Sequence, residues 1–310
     1  MSTTAFILAA GFGTRVRPLT LDRPKPLLPV LGVPMLNYAL AMLRSAGHER
    51  ILVNAHHLSD QIAQWANQHN LSIQIETPDI LGTGGGLRKA MAEFADKILV
   101  WNGDIVSNID IDNLYRKCES DGAAMALKYS DSLGKTTELV CEHELVVRIG
   151  SLFGADNAPA LNNSNSGFHF TGIHAISKEA ISLVPKDGLQ CIVRTAYKEL
   201  VPRLKVKSVI HKGHWKDTGT PIEYLEANLA ALREEFPLPF TPPGKKLNTN
   251  WLAPNATIKG SAQDSIIGAN SSVTEQTSLS ECVVWDNIQT PKGHFHRCIF
   301  HDQGILQLGS

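Results

Sequence analysis

The chain has 310 residues, of which 43% are apolar and 19% are charged, and its formal net charge is −1. This length allows a sizeable hydrophobic core, and this composition is typical of a globular protein. The balanced charge argues against a nucleic-acid or membrane-surface protein, because both usually carry a basic excess.

The first predicted element is a buried strand over residues 5–10, which leads into a Gly-rich turn. Gly11 and Gly13 let backbone N–H groups approach anionic oxygens, because no side chain stands in the way. Arg15 and Lys25 follow and supply charge-assisted donors. This combination predicts a loop that binds a polyphosphate.

Two commoner Gly-rich loops do not fit this stretch. A Walker loop requires Gly, four residues and then Gly-Lys-Ser/Thr, and that string follows no predicted strand. A dinucleotide fingerprint requires a third glycine at position 16, where this chain has Val16. A plain strand-to-helix turn explains the two glycines but gives no reason for the clustered positive charge.

The string Gly11-Phe12-Gly13-Thr14-Arg15, with Pro18-Leu19-Thr20 and Pro24-Lys25-Pro26, resembles the signature loop of the sugar-1-phosphate nucleotidylyltransferases. The resemblance extends over most of the chain through the motifs described below. The residues expected to bind the nucleotide here are Leu8, Ala10, Gly11, Gly13 and Thr14.

Alternating helices and strands follow this loop. The apolar spacing predicts a helix over 33–43 with Gly47 as its C-cap, and another from Ser59, as cap, to about His69. Short buried strands are predicted over 51–53 and 73–75. The alternation indicates an α/β fold with a Rossmann-like, mostly parallel sheet flanked by helices. Ligands of such sheets lie beyond the carboxyl ends of the strands, where the Gly11 loop is placed.

A second Gly-rich string, residues 82–86, leads into another predicted helix. Residues without side chains let a flat group lie against the backbone, where free N–H and C=O groups can read a base edge. We therefore expect Gly84 and Gly85 to contact the nucleobase and ribose. A flexible helix-entry loop is the alternative for this string alone, but the string also resembles the family's second nucleotide-binding segment.

A buried strand that begins at Ile98 ends in Asp104. An acid at the mouth of a central strand, directly after Gly103, suits Mg²⁺ better than a salt bridge. It also matches the first metal ligand of the family. Asp110 and Asp112 are expected to cap a helix or to be solvated.

Further strands are predicted over 123–127 and 139–149, with a loop at 131–135, and residues 154–167 are polar and turn-rich. Many family members carry a Glu-Lys-Pro that contacts the sugar and its phosphate, and this chain lacks it. Residues 167–174 resemble the strand whose Thr-Gly backs the sugar. The expected sugar-binding residues are Asn102, Gly103, Thr171 and Gly172.

Thr220, Pro221 and Glu223 form a predicted capping box at the start of a helix, with Asp217 in the turn before it. The family's second metal-binding aspartate stands in the same Trp-x-Asp-x-Gly-Thr-Pro context, so Asp217 is expected to hold Mg²⁺. Without the resemblance, the sequence pattern alone indicates that Asp217 serves to form the turn.

The C-terminal part differs from the rest of the chain in composition and in the spacing of its apolar residues. A Pro-rich linker is predicted over 237–247, between a catalytic domain over 1–236 and a last domain over 248–310. Apolar residues recur six apart at Leu252 and Ile258, and again at Ile267, Val273 and Leu279. A six-residue period predicts a β-helix, and it resembles the short left-handed β-helix appended to some family members. A β-sandwich edge or a decorative tail is the alternative.

The resemblance implies a Mg²⁺-dependent reaction in which a sugar 1-phosphate attacks the α-phosphorus of a nucleoside triphosphate and releases pyrophosphate. Arg15 is expected to stabilise charge on the pyrophosphate, and Lys25 to steady the α-phosphate or the sugar phosphate.

GTP with mannose 1-phosphate is the preferred pair of substrates, and UTP or GTP with a heptose- or N-acetylmuramate-type 1-phosphate is the alternative. A regulatory subunit of the same fold is a further alternative, although it would have no need of Arg15, Lys25, Asp104 and Asp217 together. The failed dinucleotide fingerprint argues against a dehydrogenase.

Five scattered cysteines without a Cys-x-x-Cys pair favour a reduced, cytoplasmic protein. The N-terminus lacks the basic segment and long apolar run of an export signal. We expect no nucleic-acid or membrane partner, and self-association into a homo-oligomer stays open.

Overall fold

The structure is a computed structural model that describes residues 4–129, 139–156 and 167–309. Its internal contacts divide the chain into two compact units that alternate along the sequence. The first contains Met1–Gly11, Met42–Gly103 and Ile109–Trp215, and the second contains Phe12–Ala41, Asp104–Asn108 and Lys216–Ser310. A membrane-spanning helix, which would have to be long and apolar, is not found in the described residues.

The first unit is organised around a sheet that has ten strands within the described residues. Its strands, in order across the sheet, are Phe153–Gly154, Leu145–Ile149, Val206–Ile210, Ala123–Tyr129, Phe168–Ser177, Lys97–Asn102, Thr4–Leu8, Arg50–Ala55 and Ser72–Ile75, and Leu139–Glu142 pairs beside this path. The central strands are rich in apolar side chains and are buried, as Phe6, Val100 and Ile176 show. Burial of such runs makes this sheet the core of the first unit.

The predicted α/β class is confirmed, but the sheet is mixed rather than mostly parallel. Thr4–Leu8 runs parallel to both Arg50–Ala55 and Lys97–Asn102. Phe168–Ser177 runs antiparallel to Lys97–Asn102 and to Ala123–Tyr129. A buried apolar run looks the same in either direction, so the sequence pattern did not distinguish the two.

Helices lie between these strands, and two of them lie close to the helices predicted from apolar spacing over 33–43 and 59–69. They are α1 (Met35–Ser45), α2 (Ser59–Gln68), α3 (Gly82–Ala90), α4 (Ile111–Lys117), α5 (Lys178–Ser182) and α6 (Lys198–Leu200), with short helical turns at Met91–Glu93 and Val193–Tyr197. Asp110 caps α4 as expected, because its carboxylate accepts the N–H of Asn113 at 3.0 Å. Ser59 is not a cap: it is the first residue of α2, and Leu58 holds the cap position with φ 50°. The predicted loop at 131–135 and most of residues 154–167 lie outside the described residues.

The second unit collects short elements around helix α7 (Pro221–Leu232). They include the helical turns Thr14–Val16 and Lys25–Leu27, the strand pair Pro29–Val30 and Val33–Pro34, the strand Ile105–Ser107, and residues 216–217 of the strand Trp215–Asp217. Pro221 at the first helical position and the side chain of Thr220 at the N-cap fix the start of α7, as predicted.

The C-terminal residues of the second unit form a β-helix, which confirms that prediction. Its strands are Lys245–Leu247, Asn250–Leu252, Thr257–Ile258, Ser261–Gln263, Ile266–Ile267, Ser272–Val273, Thr277–Ser280, Val283–Val284, Gly293–His296, Cys298–His301 and Gly304–Gln307. Successive coils pair in parallel, and the register Trp251↔Ile266↔Val283↔Ile299 advances by 15, 17 and 16 residues. These coils are shorter than the about 18 residues that three six-residue sides give. The predicted apolar positions Leu252, Ile267, Val273 and Leu279 are buried, and Ile258 is partly buried.

One buried cluster joins the β-helix to α7 within the second unit. Trp285, Ile266 and Ile299 of the β-helix pack in the same cluster as Tyr224 and Leu229 of α7. Residues of the predicted linker also take part in packing and pairing: Phe240 stacks on Tyr38, with ring centres 4.9 Å apart, and Lys245–Leu247 pairs with Asn250–Leu252. The β-helix is therefore built into the core of the second unit.

Candidate active site

The Gly-rich loop has one open glycine and one tightly packed glycine. A methyl group placed on Gly11 would meet no atom within 4 Å. Gly13 has φ +62°, and a methyl group there would lie 3.0 Å from Thr20 Cγ2 and 3.1 Å from Lys25 Cβ. Thr20 Oγ1 donates to the carbonyl oxygen of Gly13 at 2.8 Å. Gly13 is therefore required by the fold of the loop, whereas Gly11 leaves space beside the backbone.

Lys25 lies at the centre of the charged cluster of the second unit. Its side chain is only 8% exposed, and its ammonium group forms an ion pair with the carboxylate of Asp104. Lys25 Nζ also lies 3.5 Å from Asp217 Oδ1. An ammonium group buried to this degree requires such partners, because desolvation of an unpaired charge is costly. The structure thus brings together three residues that are far apart in the sequence.

The two aspartates affect each other. Burial raises the pKa of Asp217, and the negative charge of Asp104 raises it further, while Lys25 and Arg15 act in the opposite direction. Two carboxylates held close together favour binding of a cation between them. Among the described residues, no group of three histidine, cysteine, aspartate or glutamate side chains is placed to hold a metal. A metal bound by Asp104 and Asp217 would therefore need further oxygens from elsewhere, as phosphates can provide.

Backbone contacts fix the segments that carry the two aspartates. Thr218 Oγ1 donates to the carbonyl oxygen of Asp104 at 3.2 Å. Asp217 is the last residue of the strand Trp215–Asp217 and not part of a turn, which corrects the prediction. The N-cap half of the predicted capping box is present, because the N–H of Glu223 donates to Thr220 Oγ1 at 3.3 Å. The Glu223 carboxylate accepts from the Thr220 hydroxyl at 3.0 Å, whereas in a full capping box it accepts the backbone N–H of that residue.

Arg15 reaches the same cluster. It is an exposed residue of the helical turn Thr14–Val16. A methyl group on Gly219 would lie 3.1 Å from Arg15 Nη1 and 3.3 Å from Asp217 Oδ2. The four charged residues selected from the sequence, Arg15, Lys25, Asp104 and Asp217, therefore converge in the second unit. An anion held by the two cationic groups would lie beside the two carboxylates.

Two of the predicted sugar-binding residues, Asn102 and Gly103, lie at the end of the strand Lys97–Asn102 in the first unit, and Thr171 and Gly172 lie within the neighbouring strand Phe168–Ser177. The N–H of Gly103 donates to the carbonyl oxygen of Leu8 at 2.8 Å. Gly172 has φ +78°, and a methyl group there would lie 2.5 Å from Asn102 Nδ2, so the two residues are adjacent. The hydroxyl of Thr171 donates to the carbonyl oxygen of Ala126 at 2.8 Å and is buried. Thr171 thus supports its strand with its side chain.

The second Gly-rich string differs from its prediction. Helix α3 begins at Gly82, so the string forms the first turns of the helix and not a loop before it. The N–H groups of Gly84 and Gly85 both donate to the carbonyl oxygen of Gln190, at 2.8 and 3.2 Å. They are therefore not free to read a base edge, which corrects that part of the prediction. The missing side chains let α3 approach the segment at Gln190 closely.

A buried polar network that the sequence analysis did not identify supports this part of the first unit. Asn54 Oδ1 accepts the N–H of Ala9 at 2.7 Å, and Asn54 Nδ2 donates to Glu76 Oε1 at 2.7 Å. The other oxygen of Glu76 accepts the N–H of Leu81 at 2.7 Å. Both side chains are about 1% exposed. The available signal was a polar residue inside the apolar strand Arg50–Ala55 and an acid directly after the next strand.

The sequence matches the family described as the MobA-like NTP transferase domain over residues 5–165. A mannose-1-phosphate guanylyltransferase of Mycobacterium tuberculosis is 25% identical over 303 residues, which cover 93% of this chain and 81% of that protein. A UTP--glucose-1-phosphate uridylyltransferase of Synechocystis is 29% identical over 253 residues, which cover 75% of this chain and 64% of that protein.

The fold is similar to the crystal structure of HddC from Yersinia pseudotuberculosis complexed with GMP-PN. The TM-score is 0.57, the sequence identity is 23%, and the match covers 73% of this chain and 98% of that one. At this identity the likeness concerns the fold alone.

Proposed function

Because the chain belongs to the MobA-like NTP transferase domain family and is a sugar-1-phosphate nucleotidyltransferase, we propose that it transfers a guanylyl group from GTP to mannose 1-phosphate. The observation that carries this proposal is the convergence of Arg15 and Lys25 with Asp104 and Asp217. Cationic donors and a carboxylate pair together suit a metal-bound triphosphate.

In the proposed reaction, a phosphate oxygen of the sugar 1-phosphate attacks the α-phosphorus of the triphosphate. A new P–O bond forms, the bond between the α-phosphorus and the bridging oxygen breaks, and that oxygen leaves with pyrophosphate. The attacking oxygen is already anionic near neutral pH, so no side chain has to remove a proton. Catalysis then depends on position and charge stabilisation.

The charged side chains have separate roles in this scheme. Arg15, at the exposed end of the cluster, stabilises the negative charge that builds up on the departing pyrophosphate. Lys25 is buried and contacts both aspartates, so its ammonium group has a fixed position from which to hold the α-phosphate or the sugar phosphate. The open space at Gly11 admits phosphate oxygens beside the backbone, and the proposed contacts with the triphosphate extend over Leu8, Ala10, Gly13 and Thr14.

Asp104 and Asp217 fit a Mg²⁺ site of the kind completed by a nucleotide. Mg²⁺ is usually bound through one or two carboxylates plus substrate phosphates, and the structure supplies two carboxylates that share one ammonium partner. When bound, the ion would neutralise charge on the phosphate oxygens. Burial and then the charge of Asp104 raise the pKa of Asp217, and a cation bound between the two carboxylates would offset both effects.

The sugar is proposed to lie near Asn102, Gly103 and Gly172, with Thr171 supporting the strand behind it. Gly84 and Gly85 contribute to the proposed nucleotide site only by letting α3 pack closely against Gln190, since their N–H groups are occupied. GTP and mannose 1-phosphate are preferred because one of the similar proteins is named a mannose-1-phosphate guanylyltransferase. UTP is the alternative triphosphate, and heptose- or N-acetylmuramate-type 1-phosphates are the alternative acceptors.

The test is pyrophosphate release with Mg²⁺, with four nucleoside triphosphates crossed against a panel of hexose, heptose and amino-sugar 1-phosphates. We expect release that requires GTP and mannose 1-phosphate together. Release with a different pair would replace the substrates and keep the reaction. A folded protein that binds a triphosphate but releases no pyrophosphate with any pair would contradict the proposal.

A further inference from the structure

The segment Asp22–Leu31, which carries Lys25, is held at its start by the end of the β-helix. Arg23 Nη2 lies 3.0 Å from Asp302 Oδ2, and the guanidinium carbon of Arg23 lies 4.3 Å from the centre of the Trp285 ring. Next to Asp302, Gln303 donates a hydrogen bond to the carboxylate of Asp22. The Arg23–Asp302 contact joins residues 279 positions apart and lies two residues before Lys25.

The same tryptophan supports the other end of the segment. Trp285 Nε1 donates to the hydroxyl oxygen of Tyr224 at 3.0 Å, and that hydroxyl donates to the carbonyl oxygen of Pro29. Asn228 Oδ1 accepts the N–H of Leu31 at 3.1 Å. Trp285 is 1% exposed. One buried side chain of the β-helix thus contacts Arg23 with its ring face and reaches Pro29 through Tyr224.

The contact of the Arg23 guanidinium group with the Trp285 ring holds Arg23 more firmly than its ion pair with Asp302 does. The Arg23–Asp302 pair is partly exposed, with side chains 25% and 42% accessible, and such pairs add little stability on their own. A guanidinium group over a buried indole adds attraction and a defined geometry. Since Lys25 must reach Asp104 and Asp217 with a buried ammonium group, the position of its backbone decides where that charge lies.

We propose that Trp285 and Asp302 are positioning residues for Lys25: by holding Arg23, the β-helix fixes the backbone that carries the catalytic ammonium group. The kinetic consequence rests on the function proposed above, whereas the effect on the segment itself does not. A displacement of about 1 Å in such a group lowers turnover by up to about a hundredfold.

The kinetic test compares Arg23→Met, which keeps the aliphatic stem but removes the charge, with the control Arg233→Met. Arg233 pairs with Glu281 and links the β-helix to α7 rather than to the Lys25 segment. We expect Arg23→Met to lower kcat about tenfold or more with a smaller change in the KM for the triphosphate. Arg23→Lys should restore most of kcat, and Arg233→Met should leave it near the wild-type value.

A second measurement is independent of activity. Hydrogen exchange of the amides in residues 22–31 should be faster in Arg23→Met, Asp302→Asn and Trp285→Leu, and unchanged in Arg233→Met. If Trp285→Leu does not fold, the other two variants decide the result.

If the amides of residues 22–31 exchange hydrogen at the wild-type rate in all three variants, the proposal is overturned. Faster exchange without loss of kcat, or an equal loss of kcat in Arg233→Met, would also overturn it. If the wild-type protein releases no pyrophosphate with any substrate pair, the proposed function is contradicted. The hydrogen-exchange comparison then still decides whether Arg23, Asp302 and Trp285 hold residues 22–31 in place.

Discussion

Arg15 and Arg17 offer a direct comparison at the scale of single residues. Both are exposed arginines of the Gly-rich loop, but only Arg15 is placed next to Asp217 through Gly219. We expect Arg15→Ala to lower kcat by about a hundredfold or more, because one preorganised donor to the leaving group is lost. Arg17→Ala is the matched control and should change kcat by much less. Steady-state pyrophosphate release measures both, and equal losses would contradict the role given to Arg15.

The carboxylate pair predicts a metal effect that can be separated from folding. Asp217→Asn keeps the shape of the side chain but removes one of two neighbouring negative charges. We expect activity to require a higher Mg²⁺ concentration, while the thermal unfolding temperature without metal stays the same or rises, because repulsion from Asp104 is relieved. An Asp217→Asn enzyme with wild-type activity and wild-type Mg²⁺ response would contradict the metal assignment.

His174 predicts how the stability of the first unit depends on pH. It is fully buried next to Tyr197, with the Tyr197 hydroxyl 2.5 Å from His174 Nδ1, and burial lowers the pKa of His174 to about 3. The unfolded chain, with a histidine pKa of about 6.5, therefore binds more protons than the folded chain between these values, so stability falls as the pH drops below 6.5.

In wild-type protein, this histidine should account for a loss of about 2 kcal/mol between pH 7 and pH 5. Urea unfolding of His174→Gln should lack that part of the loss. His294→Gln, at an exposed position, controls for removal of a histidine. The same pH dependence in wild type and His174→Gln would show the attribution to be wrong.

The first turn of helix α3 depends on a close approach to the backbone at Gln190 that only glycine permits. Gly82 has φ +74°, and a methyl group there would lie 2.7 Å from the carbonyl oxygen of Gln190. Gly47 has φ +76° with no atom within 4 Å of such a group. Both changes to alanine should cost about 1–2 kcal/mol for the left-handed backbone.

Gly82→Ala should lose a further amount on the order of 1–3 kcal/mol, because the Gln190 backbone must move. Chemical denaturation of the two variants measures the difference. Equal losses would mean that the contact with Gln190 can relax without cost.

The elements that the sequence predicts best are those that local signals define. The N-cap hydrogen bond between Thr220 and Glu223 and the cap at Asp110 need only residues three positions apart. The roles of Gly84 and Glu76 were not predictable in this way, since each depends on a partner brought near by the fold. Gln190 accepts the N–H of Gly84 from more than a hundred positions away, and no period or cap connects the two.

The candidate site was easier to predict than the surroundings that support it. The charged residues Arg15, Lys25, Asp104 and Asp217 were selected from motifs, and they converge in the second unit. The contact of Arg23 with Trp285 was not foreseen, because the six-residue period reports which residues of the β-helix are interior and not what packs outside it.

At the scale of the whole molecule, the β-helix is predicted to be required for folding. Trp285, Ile266, Val283 and Ile299 are buried in one cluster with residues of α7. A buried apolar side chain contributes about 1.5–3 kcal/mol, and the stability of a whole domain is only about 5–15 kcal/mol. We therefore expect a fragment of residues 1–247 not to fold stably alone.

Circular dichroism and size-exclusion chromatography of that fragment, beside the full-length chain, test this expectation. A monomeric, folded and active fragment would contradict it. Such a result would instead support the catalytic domain over 1–236 predicted from the sequence.

The contact between Arg23 and Asp302 also sets an order of events during protein synthesis. The two residues are 279 positions apart, so a ribosome that adds about 5–20 residues per second needs roughly 15–55 s to make the second after the first. During that interval, the loop that carries Lys25 has been made and the residues that contact Arg23 at the end of the β-helix have not. On the proposal that Asp302 and Trp285 position Lys25, productive binding of a triphosphate is expected only after the coil that contains Asp302 has been synthesised.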